Sequence, residues 1–80
     1  NLFGKDKMIK RFLKSKKITE KDMLYVGDEQ RDVAACKKAG VNVIWVSWGY
    51  DVIETVKKDA PDYMVHKPME IVQVVQGAYS

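Results

Sequence analysis

Residues that build covalent or metal-bound scaffolds are scarce in this sequence. Its 80 residues include one cysteine, Cys36, and one histidine, His66. A lone cysteine excludes an internal disulfide framework and a cysteine-built zinc site, and a lone histidine excludes a multi-histidine metal site or a paired-histidine relay. Long apolar runs are missing as well. The longest, residues 41–48, is interrupted by Asn42 and Ser47 and falls far short of the roughly 20 residues a bilayer crossing needs. Lys5, Lys7, Lys10 and Arg11 break any apolar stretch near the start, so no secretory signal is expected. Charge of one sign is not in excess: 14 Lys and Arg against 11 Asp and Glu leave +3. That falls well below the clustered basic stripe of a nucleic-acid binder, so neither nucleic acid nor a membrane is expected as a partner. The expected setting is reduced and cytoplasmic.

What is present is an ordinary globular balance, 46% apolar and 31% charged, which argues against disorder. The length fits one small domain or a piece of a larger one. A domain of this size buries only about 60% of its unfolded surface. With no disulfide or structural metal to compensate, either it packs unusually well or something else covers one side.

Hydrophobic periodicity alternates regularly along the chain. Met8, Ile9, Phe12 and Leu13 form one stripe of a helix over about 6–16, with Lys7, Lys10, Arg11 and Lys14 on the solvated face. A polar connection over 18–22 leads to the apolar run 23–26, which reads as a strand buried on both faces and ends at Gly27. Residues 28–32 feed a second helix bearing Val33, Ala34, Ala35, Cys36 and Ala39, closed by Gly40, which suits a left-handed cap. Residues 41–47, rich in β-branched and aromatic side chains, form the strongest strand. Asp51 is the expected N-cap of a third helix with Val52, Ile53 and Val56, ending near Asp59 and Pro61. Residues 62–65 make a third strand, and Pro68 opens a last helix lined by Ile71, Val72, Val74 and Val75. Strands separated by single helices run parallel through crossover connections. The expected fold class is therefore α/β: a parallel three-stranded βαβαβ half of a Rossmann-like doubly wound sheet, flanked by helices, with no separate domains in residues 1–80.

Open parallel sheets bind ligands at the carboxyl ends of their strands. Of the three loops expected there, Gly27-Asp28-Glu29-Gln30-Arg31-Asp32 is the most unusual, with three carboxylates in five residues. Asp28 and Asp32 are four apart and can share a side once the helix begins. Acids in a first helical turn are favoured by its exposed amides and its dipole, so Asp28 as N-cap and Asp32 as a first-turn charge is one reading. The other is a divalent cation, since hard carboxylate oxygens suit Mg²⁺ and the preceding glycine lets the backbone approach a bound group. Spacing alone leaves both open.

The stretch Tyr25-Val26-Gly27-Asp28-Glu29-Gln30-Arg31-Asp32-Val33-Ala34-Ala35-Cys36-Lys37-Lys38-Ala39-Gly40 resembles the fourth signature motif of haloacid dehalogenase-like hydrolases, most of all the phosphoglycolate phosphatase-like branch. Trp45-Val46-Ser47-Trp48-Gly49-Tyr50 is similar to the family's loop after the next strand. Ala60-Pro61-Asp62-Tyr63 and the segment from Lys67-Pro68 to Val75 are similar to its closing strand and helix. Phe3-Gly4-Lys5 is similar to the stretch carrying the family's phosphate-facing lysine. The resemblance implies a Mg²⁺-dependent phosphomonoester hydrolase acting on a small phosphorylated substrate. In it Asp28 ligates Mg²⁺, Asp32 ligates the metal or holds its water shell, and Lys5 pairs with the substrate phosphate. Lys7 is the rival if the register slips. Glu29 is expected to face solvent or to touch the metal's surroundings, and Trp48 and Gly49 to line the cleft or contact a cap, with packing in the core or the loop the other reading for Trp48. Cys36 reads as a buried structural thiol, His66 as a surface histidine near the active edge, and Trp45 as core.

The departure matters as much. The family attacks phosphorus with the first Asp of an Asp-x-Asp motif and uses the second as acid and base, and no Asp-x-Asp occurs in this sequence. The resemblance therefore implies the carboxyl-terminal part of a core domain, with the nucleophile upstream and the 80-residue chain inactive alone. It would also leave the 23–26 strand with an open edge through which the chain could self-associate. A non-catalytic α/β interaction module, or a receiver-like Mg²⁺-binding module, is the alternative. A dinucleotide-binding reading fails because no Gly-x-Gly-x-x-Gly follows a strand.

Overall fold

The computed structural model describes residues 4–49, 53–56, 58 and 60–79. Phe3, Tyr50, the expected cap Asp51, Val52, Asp59 and the Val56 side chain lie outside the described residues. The element order is α1 (Gly4–Lys16), a 3₁₀ turn (Glu20–Asp22), β1 (Leu24–Gly27), α2 (Gln30–Ala39), β2 (Asn42–Val46), α3 (Ile53–Val56), β3 (Tyr63–Val65) and α4 (Pro68–Tyr79). The strands form one parallel sheet in the order β1-β2-β3, with Tyr25 opposite Val43, Gly27 opposite Trp45 and Val46 opposite Val65. This is the expected βαβαβ arrangement. Among the described residues no helix is long and apolar enough to cross a membrane.

Alternation along the strands separates two cores. On one face Val43 and Trp45, with Tyr25 and Met64, meet Ile9 and Leu13 of α1 and Val33, Ala35, Cys36 and Ala39 of α2. On the other, Ile44, Val46 and Val65 form a smaller cluster with Leu24, Tyr63 and, from α4, Ile71 and Val74. Four of the five β2 residues are buried. The expectation that the first strand is buried on both faces is not met: no residue of β1 is fully buried, and Val26 is 46% exposed. Among the described residues β1 lies at the sheet edge, paired with β2 alone. Within the α1 stripe only Ile9 and Leu13 are buried, while Met8 and Phe12 stay exposed beside a groove of about 330 Å³ that they line with Lys5, Ile9, Met23 and Tyr25.

The ends of the elements explain their lengths. α2 closes on Gly40 in the left-handed conformation (φ 77°), where the Gly40 and Val41 amides donate to the Lys37 and Cys36 carbonyls. α1 ends in the same way on Lys17 (φ 56°), a side chain in a region that glycine prefers. Three elements start alike, with an acid reaching back to the amide three residues earlier. Asp22 accepts from Thr19 N, Asp32 from Glu29 N, and Glu70 from Lys67 N as well as from His66 N. Asp62 accepts from Val43 N at 2.8 Å and from Lys37 Nζ at 3.2 Å, fixing the start of β3 beside β2 and α2.

Candidate metal centre

Parallel strands bring the ends Gly27, Val46 and Val65 to one edge of the sheet, and the carboxylate loop leaves it there. α2 begins one residue later than a cap at Asp28 would require. Glu29 is its N-cap, with extended backbone (φ −121°, ψ 150°), so Asp28 stands just outside the helix. Its carbonyl accepts the indole N–H of Trp45 at 3.3 Å.

Asp32 is 4% exposed, the one buried charged residue among the described residues. Both its oxygens are engaged: Oδ2 accepts the Glu29 amide at 3.1 Å, and Oδ1 accepts Lys5 Nζ in an ion pair. That pair joins the first turn of α1 to the first turn of α2. The hydrogen bond from Lys5 to Asp32 pushes the Lys5 ammonium above its usual value, with partial burial opposing it. Burial, then the Asp32 charge, raises the Tyr25 phenol beside it. Glu29 is not simply solvated: it pairs with Arg31 at 3.1 Å and lies 4.0 Å from Lys5 Nζ. The rival Lys7 is exposed on the same helix.

Carboxylate oxygens of Asp28, Glu29 and Asp32 all lie within 4.8 Å of one another. Among the described residues, Lys5 pairs with Asp32 and lies 4.0 Å from Glu29, and Arg31 pairs with Glu29. An all-oxygen donor set fits a hard divalent cation. Two glycines frame the acids: a Cβ on Gly27 would lie 2.7 Å from Asp32 Oδ2, and one on Gly49 would lie 2.5 Å from Asp28 Oδ2.

Trp48 is 49% exposed and Gly49 is exposed, so both stand at the open edge and Trp48 is not packed into the core. His66 is exposed, as expected. Cys36 is fully buried, and burial raises its thiol to about 11, the behaviour of a structural thiol. Sequence reasoning took Trp45 only as core. A buried indole always seeks an acceptor, and that was the available signal for its bond to the carboxylate loop.

Residues 2–46 match the sequence profile of the haloacid dehalogenase-like hydrolases, and the chain belongs to that family. Among curated relatives, a phosphoglycolate phosphatase of Synechococcus elongatus is 34% identical over 53 residues, covering 66% of this chain and 25% of that protein. A phosphoglycolate phosphatase of Vibrio parahaemolyticus is 33% identical over 54 residues, 68% of this chain and 24% of its own length. These likenesses put the chain in the phosphoglycolate phosphatase-like branch. It spans about a quarter of the length of these relatives. A haloacid dehalogenase-like hydrolase from Streptococcus pneumoniae shares the fold, with a TM-score of 0.86 at 23% identity over 91% of this chain and 35% of that one.

Proposed function

We propose that these 80 residues are the carboxyl-terminal part of the core of a Mg²⁺-dependent phosphomonoester hydrolase that works through an aspartyl-phosphate. The observation that carries this is the meeting of Lys5 with Glu29 and with Asp32, 27 positions away in sequence, beside Asp28 at the carboxyl edge of a parallel sheet. Asp28 would hold Mg²⁺. When bound, the ion neutralises charge on phosphate oxygens. Asp32 keeps Lys5 charged and aimed at the edge, and the Lys5 ammonium stabilises negative charge on the transferring phosphoryl group. Glu29, held by Arg31, adds to the field that favours a cation. Trp48 and Gly49 border the cleft that receives a small phosphorylated substrate. The nucleophilic Asp and the acid–base Asp belong to an Asp-x-Asp motif outside these residues, so the chain alone does not turn over.

A second reading has a specific observation behind it: Asp32 and Glu29 also serve as helix-start and ion-pair groups, which a non-catalytic module would need equally. Hydrolysis of p-nitrophenyl phosphate by the protein carrying both parts of the core separates the two. Asp28→Asn and excess chelator abolish turnover under the phosphatase reading, and Lys5→Met lowers kcat about 10²- to 10³-fold. Full activity in Asp28→Asn or in chelator contradicts it.

A further inference from the structure

We propose that Trp45 and Gly49 are positioning residues for Asp28, one fixing its backbone and the other making room for its carboxylate. The inference rests on the reading of Asp28 as a cation ligand and adds how its geometry is set. Trp45 is 1% exposed in the centre of the larger core, so its indole cannot swing, and its N–H donates to the Asp28 carbonyl at 3.3 Å. That bond ties the first residue after β1 to the penultimate residue of β2. Gly49 acts from the loop after β2. A Cβ there would lie 2.5 Å from Asp28 Oδ2 and 2.6 Å from its Cγ, and would overlap the Asp28 Cβ.

The clash involves the root of the aspartate as well as its tip, so a small rotation of the carboxylate does not relieve it. Backbone strain is not the reason for the glycine, since among the described glycines positive φ occurs at Gly4 and Gly40 only. Gly49 is therefore needed for space, and the space is occupied by Asp28. Gly77 shows the opposite case, with nothing within 4 Å of a Cβ.

The test is Mn²⁺ affinity of the protein carrying both parts of the core, measured by calorimetry for wild type, Gly49→Ala, Trp45→Phe and Asp28→Asn, together with the Trp45 indole N–H resonance. Groups that orient a metal ligand typically cost about 10- to 100-fold in affinity when altered. Gly49→Ala is expected to weaken Mn²⁺ by that factor and to displace the indole resonance, with the unfolding midpoint close to wild type. Trp45→Phe keeps a ring in the core, removes the donor and weakens Mn²⁺ similarly, and it carries the test if Gly49→Ala does not fold. Wild-type affinity in Gly49→Ala and Trp45→Phe alongside lost binding in Asp28→Asn overturns the positioning role. Wild-type affinity in Asp28→Asn overturns the cation reading and the inference with it.

Discussion

Among the described residues, the face of the sheet beneath α1 and α2 buries Ile9, Leu13, Val33, Cys36, Val43 and Trp45 in one cluster, whereas the face beneath α4 buries Ile44, Val46 and Val65. On that second face Val26 of the edge strand stays 46% exposed, and Val72 and Val75 of α4 are 46% and 42% exposed. Both segments of the candidate site, Lys5 on α1 and the loop leading into α2, are anchored to the larger cluster. The less complete face contributes none of the proposed ligands. The lesson is that the chain spends its best packing on holding the carboxylate loop and the lysine in register.

The largest effect that would break this comparison is a truncation in each core. Trp45→Ala should cost about 3–5 kcal/mol by urea unfolding, and Val65→Ala on the smaller face about 1–2 kcal/mol. Equal losses would mean the two faces support the fold alike. Next comes the tie between the helices. Asp32→Ala strands the Glu29 amide and removes the partner of Lys5, and should cost about 2–3 kcal/mol. A change within the error of unfolding would show that α1 and α2 need no such tie.

Much of this was legible in the sequence. The alternation of strands and helices, the Gly40 cap and the acidic loop follow from local patterns, whereas Lys5 was singled out only by the family resemblance. The partial exposure of β1 was not, because a run such as Met23-Leu24-Tyr25-Val26 reads as buried whatever lies beside it, and its edge position depends on the sheet order. Nor was the double use of Asp32. A capping acid and a phosphate-steering lysine's partner look the same in sequence, and only the fold brings Lys5 to it. The contact of Gly49 with Asp28 joins two loops that share no local pattern.

A third prediction concerns Cys36, at the centre of the larger cluster. Its thiol is raised from 9.0 to about 11, first by burial and then by the Asp32 charge. Above pH 9 the unfolded chain loses this proton while the folded one keeps it, so stability falls as pH rises from about 9 to 11, by roughly 1–3 kcal/mol. Lys5, also raised, adds its own loss at still higher pH, as the pH passes through its folded value. Cys36→Ala should flatten the part between pH 9 and 11. A denaturant midpoint that falls equally in both proteins would remove the thiol from the explanation. The smallest effect is at the end of α1, where Lys17→Gly should raise stability by about 0.5–1 kcal/mol through relief of its left-handed backbone. A loss there would show that α1 ends differently in solution.

The central claim is that Asp28, supported by Glu29 and Asp32, grips a divalent cation where a strand hands over to a helix. Residue-resolved NMR of the 80-residue chain during Mg²⁺ titration tests it most directly. The account predicts saturable shifts of the amides of residues 28–32 and of Gly49, none at Ile71 or Val74 of α4, and their disappearance in Asp28→Asn. Shifts that never saturate, or that persist unchanged in Asp28→Asn, would contradict it.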